Sequence, residues 1–232
     1  MSSNKKKTKA QPQIMEKGSR KSASRGSKKT IQQRLVKESI GIFLNGLVYR
    51  NPVALGALGL FPVVGAGYSI ENAAVLSLMM LVMMLPVCLL SGWLKVPVWI
   101  RPALALVLSG ILYIPAAYLT KWLLPQTVST LGVYAILMIG NSIVLSRAND
   151  YAPTHISLAV LMDSLGCTAG FSAVLFLVAA FREIWDKLVA NTGGVYHAGA
   201  YPLVGFLLLG MIAALIQHMN AKRLAAERKA KQ

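Results

Sequence analysis

The sequence predicts an all-α membrane protein: six transmembrane helices as a 3+3 inverted repeat with broken first and fourth helices. Three observations predict it. Hydrophobic residues make up 55% of the 232 and charged residues only 14%, and apolar runs long enough to cross a hydrocarbon core recur. Two of those runs, 52–69 and 131–145, are short and carry Gly, Pro or Asn where a plain span would carry Leu. Positive charges and Trp residues fall where the ends of six such segments require them.

Residues 1–29 are rich in Lys, Ser, Gln and Gly with almost no large apolar side chain, so a disordered basic cytoplasmic tail is expected. No apolar stretch ending in a small-residue cleavage site follows its charges, so it is not read as a secretory signal. It could be a solvated extension that fixes orientation, a segment that adsorbs to anionic membrane lipid, or a nucleic-acid contact. Aromatic interleaving is absent, so no nucleic acid is expected as a partner. The net charge of +16 sits mostly in the tails: residues 1–38 carry +10, residues 219–232 carry +4, and only +2 remains for 39–218.

Residues 30–50 read as an interfacial amphipathic helix. Ile31, Leu35, Val36, Ile40, Phe43 and Leu47 form its apolar stripe, and Arg34 and Lys37 its wet face. Asn51-Pro52 ends it, because proline cannot continue the hydrogen-bond ladder. A six-span membrane domain is expected over 51–219. Its segments are Pro52–Ser69, Asn72–Gly92, Val98–Trp122, Leu131–Leu145, Ile156–Phe181 and Tyr201–Met219. A second basic cytoplasmic tail covers 220–232.

With both termini in the cytoplasm, the inner loops hold Lys95, Arg101 and Arg147. The outer loops hold Glu71, Lys121 and the cluster Arg182, Glu183, Asp186 and Lys187, read as a solvated helix end. Trp93, Trp99, Trp122 and Trp185 all lie at segment ends. Three spans is an odd number, so the second triplet enters from the opposite side and the broken segments meet near the midplane. Backbone that leaves helical geometry there must be sheltered by protein. A lone six-span bundle has too few helices for that. Association with a second six-span protein is therefore expected, with Gly56, Gly59, Gly65, Gly67, Gly132 and Gly140 admitting its helices.

Several short motifs, in order, carry a resemblance. They are Asn51-Pro52, Leu58-Gly59-Leu60-x-Pro62, Asn72-Ala73, Leu131-Gly132-Val133, Asn141-x-Ile143-Val144-Leu145-x-Arg147-Ala148, Leu161-Met162-Asp163 and Arg182-Glu183-Ile184. The chain resembles the six-span subunits of the Rnf and Nqr electron-transport complexes, most like those called RnfE and NqrD. The resemblance implies a subunit of an ion-translocating NADH:quinone or ferredoxin:NAD oxidoreductase complex in a bacterial inner membrane. It also implies a related six-span partner, with each chain giving one Cys per broken segment to a shared two-iron, two-sulfur cluster. In this chain the two family cysteine positions are Phe61 and Ser142. Neither supplies a thiolate, so no cluster is expected, and the Phe61 ring is expected to fill the space.

Cys88 and Cys167 lie on other segments at different depths and read as small buried hydrophobes; a relocated metal site or a disulfide are the alternatives. Asp163 lies within the fifth segment. An ionisable group at that depth marks an ion or proton path, for which Asn141 is a second candidate residue, or else binds the backbone of a broken segment. His155, His197 and His218 are scattered and suggest no metal site, and no nucleotide loop or hydrolase triad is present. Three roles stay open: a complex subunit without its own iron–sulfur ligands, a cluster-less descendant that transports a small solute or ion, and a membrane anchor for the basic tail.

Overall fold

A computed structural model of the chain describes residues 38–49, 51–94, 96–191 and 201–229; both basic tails, apart from residues 220–229, lie outside the described residues. Ser69 shows why the first long helix starts where it does. Its backbone is extended, its Oγ accepts the Asn72 N–H at 3.2 Å, and Glu71 places a negative charge in the first turn. Helix α1 then runs Ile70–Trp93. Proline sits in the first turn of α2, Arg101–Leu123. Helix α3 covers Ser157–Asn191, continuing past the expected end at Phe181, and α4 covers Pro202–Lys229. These four are long and apolar enough to cross a membrane. A fifth is added if Pro125–Leu131 and Val133–Thr154, joined at a bend of 81°, form one broken span. Every element among the described residues is helical.

Helices α1 and α3 lie antiparallel at the centre. The Trp93 indole N–H donates to Ser157 Oγ at 3.3 Å at one end, and the Ile70 N–H donates to Glu183 Oε2 at 3.0 Å at the other. Between them the Thr168 hydroxyl meets Met84 Sδ at 3.4 Å. Met79, Met80, Met83 and Met84 are fully buried along α1, with Met84 in this seam, and their flexible side chains suit an irregular core.

The expected fourth segment, Leu131–Leu145, is the middle of a longer broken one. Pro125–Leu131 is followed by Gly132 at φ +50°, then Val133–Leu137, a 3-10 turn Met138–Gly140 and extended Asn141. Ser142–Ser146, a π-helical turn Arg147–Tyr151 and a 3-10 turn Ala152–Thr154 complete it. The first broken segment is a turn through 52–56, then Ala57 and Gly59 at φ +50° and +66°, then a π-helical turn Pro62–Ala66. Neither is a straight helix.

Residues 38–44 are α-helical and Asn45–Tyr49 form a π-helical turn. From Phe43 onward this backbone lies directly on α3. A Cβ at Gly46 would stand 2.8 Å from Cys167 N, and one at Gly170 would stand 2.6 Å from Gly46 O. Only glycine permits that approach. This part of the expected interfacial helix is thus packed into the bundle.

The glycines of the first broken segment also work within the chain, which corrects their reading as docking points for a partner. A Cβ at Gly59 would stand 2.8 Å from Ile143 Cδ1, one at Gly67 2.8 Å from Leu175 Cδ1, and one at Gly65 would overlap the Tyr134 ring. A Cβ at Gly56 would stand 2.7 Å from Pro52 O. Only Gly132 and Gly140 of the six face open space.

Candidate functional site

Chain that leaves regular helix must still pair its buried N–H and C=O groups. Here polar side chains do it. Asn51 is 2% exposed and uses its whole amide. Its Nδ2 donates to Leu47 O at 3.0 Å and to Gly170 O at 2.9 Å, while Oδ1 accepts the N–H groups of Val53 and Ala54 at 3.0 and 3.2 Å. Asn72 Nδ2 donates to Ala66 O at 3.1 Å, closing the π-helical turn before α1. Asn141 is fully buried; its Oδ1 accepts the Ile143 N–H at 3.0 Å and so caps Ser142–Ser146. This gives Asn141 a structural role beside its expected place on an ion path.

Arg182 belongs to the same set, and this corrects its reading as a solvated helix-end charge. It is fully buried, with Nη1 donating to Val64 O at 2.8 Å and Nη2 to Tyr201 O at 3.3 Å. Gly205 lets α4 close over it: a Cβ there would stand 3.0 Å from Nη1. Its neighbour Glu183 pairs with Lys187 at 2.8 Å and also accepts the Ile70 N–H of α1.

The two broken segments meet where Ser142 Oγ accepts the Gly59 N–H at 2.8 Å. Ser142 is half-buried and opens its short helix. Phe61 lies two residues beyond Gly59 at the start of the Pro62–Ala66 turn, half-buried against the core. A two-iron, two-sulfur cluster needs a thiolate at each position. Phe61 carries no donor atom, and the Ser142 hydroxyl already accepts a backbone bond. Among the described residues no group of three or more His, Cys, Asp and Glu converges. The residues present do not fit the cluster. Cys88 and Cys167 are buried free thiols on the facing helices α1 and α3, both beside Asp163.

Asp163 is 6% exposed and faces Arg147, whose Nε stands 3.6 Å from Oδ2; the Cys167 thiol points at the same oxygen from 3.9 Å. The carboxyl therefore binds a side chain of the broken segment and not its backbone. Arg147, expected in an inner loop, lies in the π-helical turn Arg147–Tyr151. Its guanidinium carbon is 5.9 Å from the Tyr151 ring, which stacks on His155 with centroids 3.8 Å apart. The spacing Arg147, Tyr151, His155 was a readable sign of one helical face reaching from Asp163 to exposed His155.

The Gly59–Ser142 contact yields a test. Alanine at Gly59 meets both a left-handed backbone and Ile143, so Gly59→Ala should lower the melting midpoint in mild detergent by about 5 °C. Gly140→Ala, in open space, should change it by no more than about 1 °C. Equal shifts would show that the contact is not tight.

Residues 39–219 match the family described as Rnf-Nqr subunit, membrane protein. The chain is 24% identical over 194 residues to a subunit of the proton-translocating ferredoxin:NAD(+) oxidoreductase complex of Clostridium ljungdahlii, covering 77% of this chain and 88% of that one. It is 25% identical over 170 residues to a subunit of the Na(+)-translocating NADH-quinone reductase of Pseudoalteromonas translucida, covering 72% and 79%. To a subunit of the ion-translocating oxidoreductase complex of Edwardsiella ictaluri it is 30% identical over 155 residues, with 63% of each chain covered. The match spans both broken segments and all the helices that hold them, and the chain belongs to the Rnf-Nqr membrane subunit family.

Proposed function

We propose that the chain is an integral membrane subunit of an Rnf/Nqr-like ion-translocating electron-transport complex, present for packing and the ion path and without iron–sulfur ligands of its own. The observation that carries the reading is the joint of the broken segments at Gly59 and Ser142, intact in the absence of either family cysteine. The relatives named above are subunits of such complexes. Six crossings as a 3+3 inverted repeat, with both termini cytoplasmic, belong to this reading. The packing supports it through reciprocity: α4 lies on the first broken segment and α2 on the second. The ends of the central helices follow suit, Arg182 of α3 reaching Val64 and Gly92 of α1 lying against Ala152.

The chain works beside other subunits, one of them a related six-span protein seated on the second broken segment. Val133, Ile136 and Leu137 are exposed there, and Gly132 and Gly140 are open. Asp163 lies on the ion path and membrane lipid covers the remaining apolar surface. The test is affinity purification of the tagged chain from native membranes. A flavin-bearing subunit and a cysteine-bearing six-span partner should co-purify, and Gly140→Leu should weaken recovery of the partner without lowering insertion. A chain recovered alone or only as a homodimer would overturn the complex and favour a free-standing transporter. Stoichiometric iron and sulfide on the isolated chain would overturn the missing-ligand part.

A further inference from the structure

Two arginines reach into the bundle, and they are held differently. Arg182 is fixed by a 2.8 Å bond to Val64 O. Arg147 Nε lies 3.6 Å from Asp163 Oδ2, longer than the roughly 2.7–2.9 Å of a charge-assisted hydrogen bond, and that nitrogen makes no hydrogen bond. It is buried nonetheless. The turn that carries it is π-helical, a rare geometry found mostly as single turns and often at functional sites.

Asp163 cannot tolerate loss of that partner unaided. A carboxylate this buried needs a positive partner or a proton. The titratable and charged groups around it are Arg147, Tyr151 and His155 of the second broken segment, Cys88 of α1 and Cys167 of its own helix. Arg147 is the one permanent cation among them. Next to Asp163, Ser164 is buried, with the Cys88 thiol of α1 beside its hydroxyl.

We propose that Arg147 is a tethered counter-cation for Asp163, and that a proton or a monovalent alkali cation takes its place at the carboxylate when the guanidinium withdraws. The proposal rests on the ion-path reading of Asp163 and supplies its gate: the carboxylate is never charged and alone. Ion entry is then coupled to the shape of the Arg147–Tyr151 turn.

The test uses the full chain in mild detergent, with choline, sodium or potassium chloride at equal ionic strength and at alkaline or mildly acidic pH. Arg147→Gln should melt below wild type in choline at alkaline pH. Sodium, potassium or acid should then raise its midpoint by about 3–6 °C, and which of them does so identifies the cation. Wild type and Arg147→Lys should shift by less than about 1 °C, and the double variant Arg147→Gln, Asp163→Asn not at all. A flat response of Arg147→Gln to every cation and to acid overturns the proposal. Should that variant not be recovered, wild-type membranes treated with dicyclohexylcarbodiimide decide, because the reagent marks protonated carboxyls in apolar surroundings. Asp163 labelling should rise several-fold on acidification, and labelling that stays absent at both pH values overturns the proposal. Ion uptake by the assembled complex with Asp163→Asn separates the two readings. Normal uptake together with a cation-responsive Arg147→Gln removes the ion path and keeps the site; lost uptake with a flat response removes the tethered counter-cation alone.

Discussion

Arg182→Met should lower the melting midpoint of the chain in detergent by about 10 °C or more, whereas Glu183→Gln one residue on should cost no more than about 2 °C. The difference follows from what each side chain holds. Glu183 pairs with exposed Lys187, a kind of pair that contributes little, and accepts the Ile70 N–H through a carboxylate oxygen that the glutamine amide oxygen can replace. Arg182 is fully buried and donates to Val64 O and Tyr201 O, carbonyls brought from the first broken segment and from the start of α4. Methionine is shorter and offers no donor, so Val64 O loses its charged partner, Tyr201 O keeps only the Val204 N–H, and a cavity opens beneath Gly205. Removing a buried charged partner typically costs about 3–5 kcal/mol. For a domain of this size each kcal/mol moves the midpoint by roughly 2–4 °C. Arg182→Lys should fall in between, since one ammonium cannot bridge two carbonyls as a planar guanidinium does. A midpoint for Arg182→Met within about 2 °C of wild type would mean that these bonds hold nothing together.

This residue also shows where the sequence stops being legible. The interruptions in 52–69 and 131–145 are visible because Gly, Pro and Asn are local signals, and the long helices because composition alone reports them. Arg182 escapes because its partner, Val64, is 118 positions away, while the acid at position 186 offers a local pattern that looks sufficient. The glycines mislead for a related reason. Spacing tells that something comes close, and only the fold tells whether it is Ile143 and Leu175 of the same chain or a second protein. Asp163 stands out by its cost in a membrane, but its partner Arg147 is hidden in a stretch that reads as a loop and folds as a π-helical turn. Phe61 and Ser142 are placed by resemblance to the family, and the Gly59–Ser142 bond is what gives one of them a physical role.

Asn51→Ala should be the other severe change, lowering the midpoint by about 8 °C or more, while Asn149→Ala should cost less than about 3 °C. Asn149 is half-buried and its Oδ1 has no hydrogen-bond partner, so its truncation leaves little unpaired. Asn51 makes four bonds, all to backbone. Two tie the helical turn before it and the α3 carbonyl at Gly170 to the same amide nitrogen, and two start the turn that follows. Pro52 brings no N–H of its own, so the Val53 and Ala54 groups are the first donors after the break, and both are buried with it. Alanine leaves those donors and the Leu47 carbonyl without the amide, at about 1–3 kcal/mol for each group that stays dry. Asparagine is also the one small side chain with two donors and two acceptors in this arrangement, so aspartate should not rescue it. Asn51→Asp keeps the acceptor for Val53 and Ala54 but turns a carboxylate oxygen toward the carbonyls of Leu47 and Gly170. Its midpoint should fall at least as far as that of Asn51→Ala at neutral pH. An Asn51→Asp chain as stable as wild type would show that the two donor bonds of Asn51 contribute nothing, and that the first broken segment is held by its bonds to Ser142, Arg182 and Asn72.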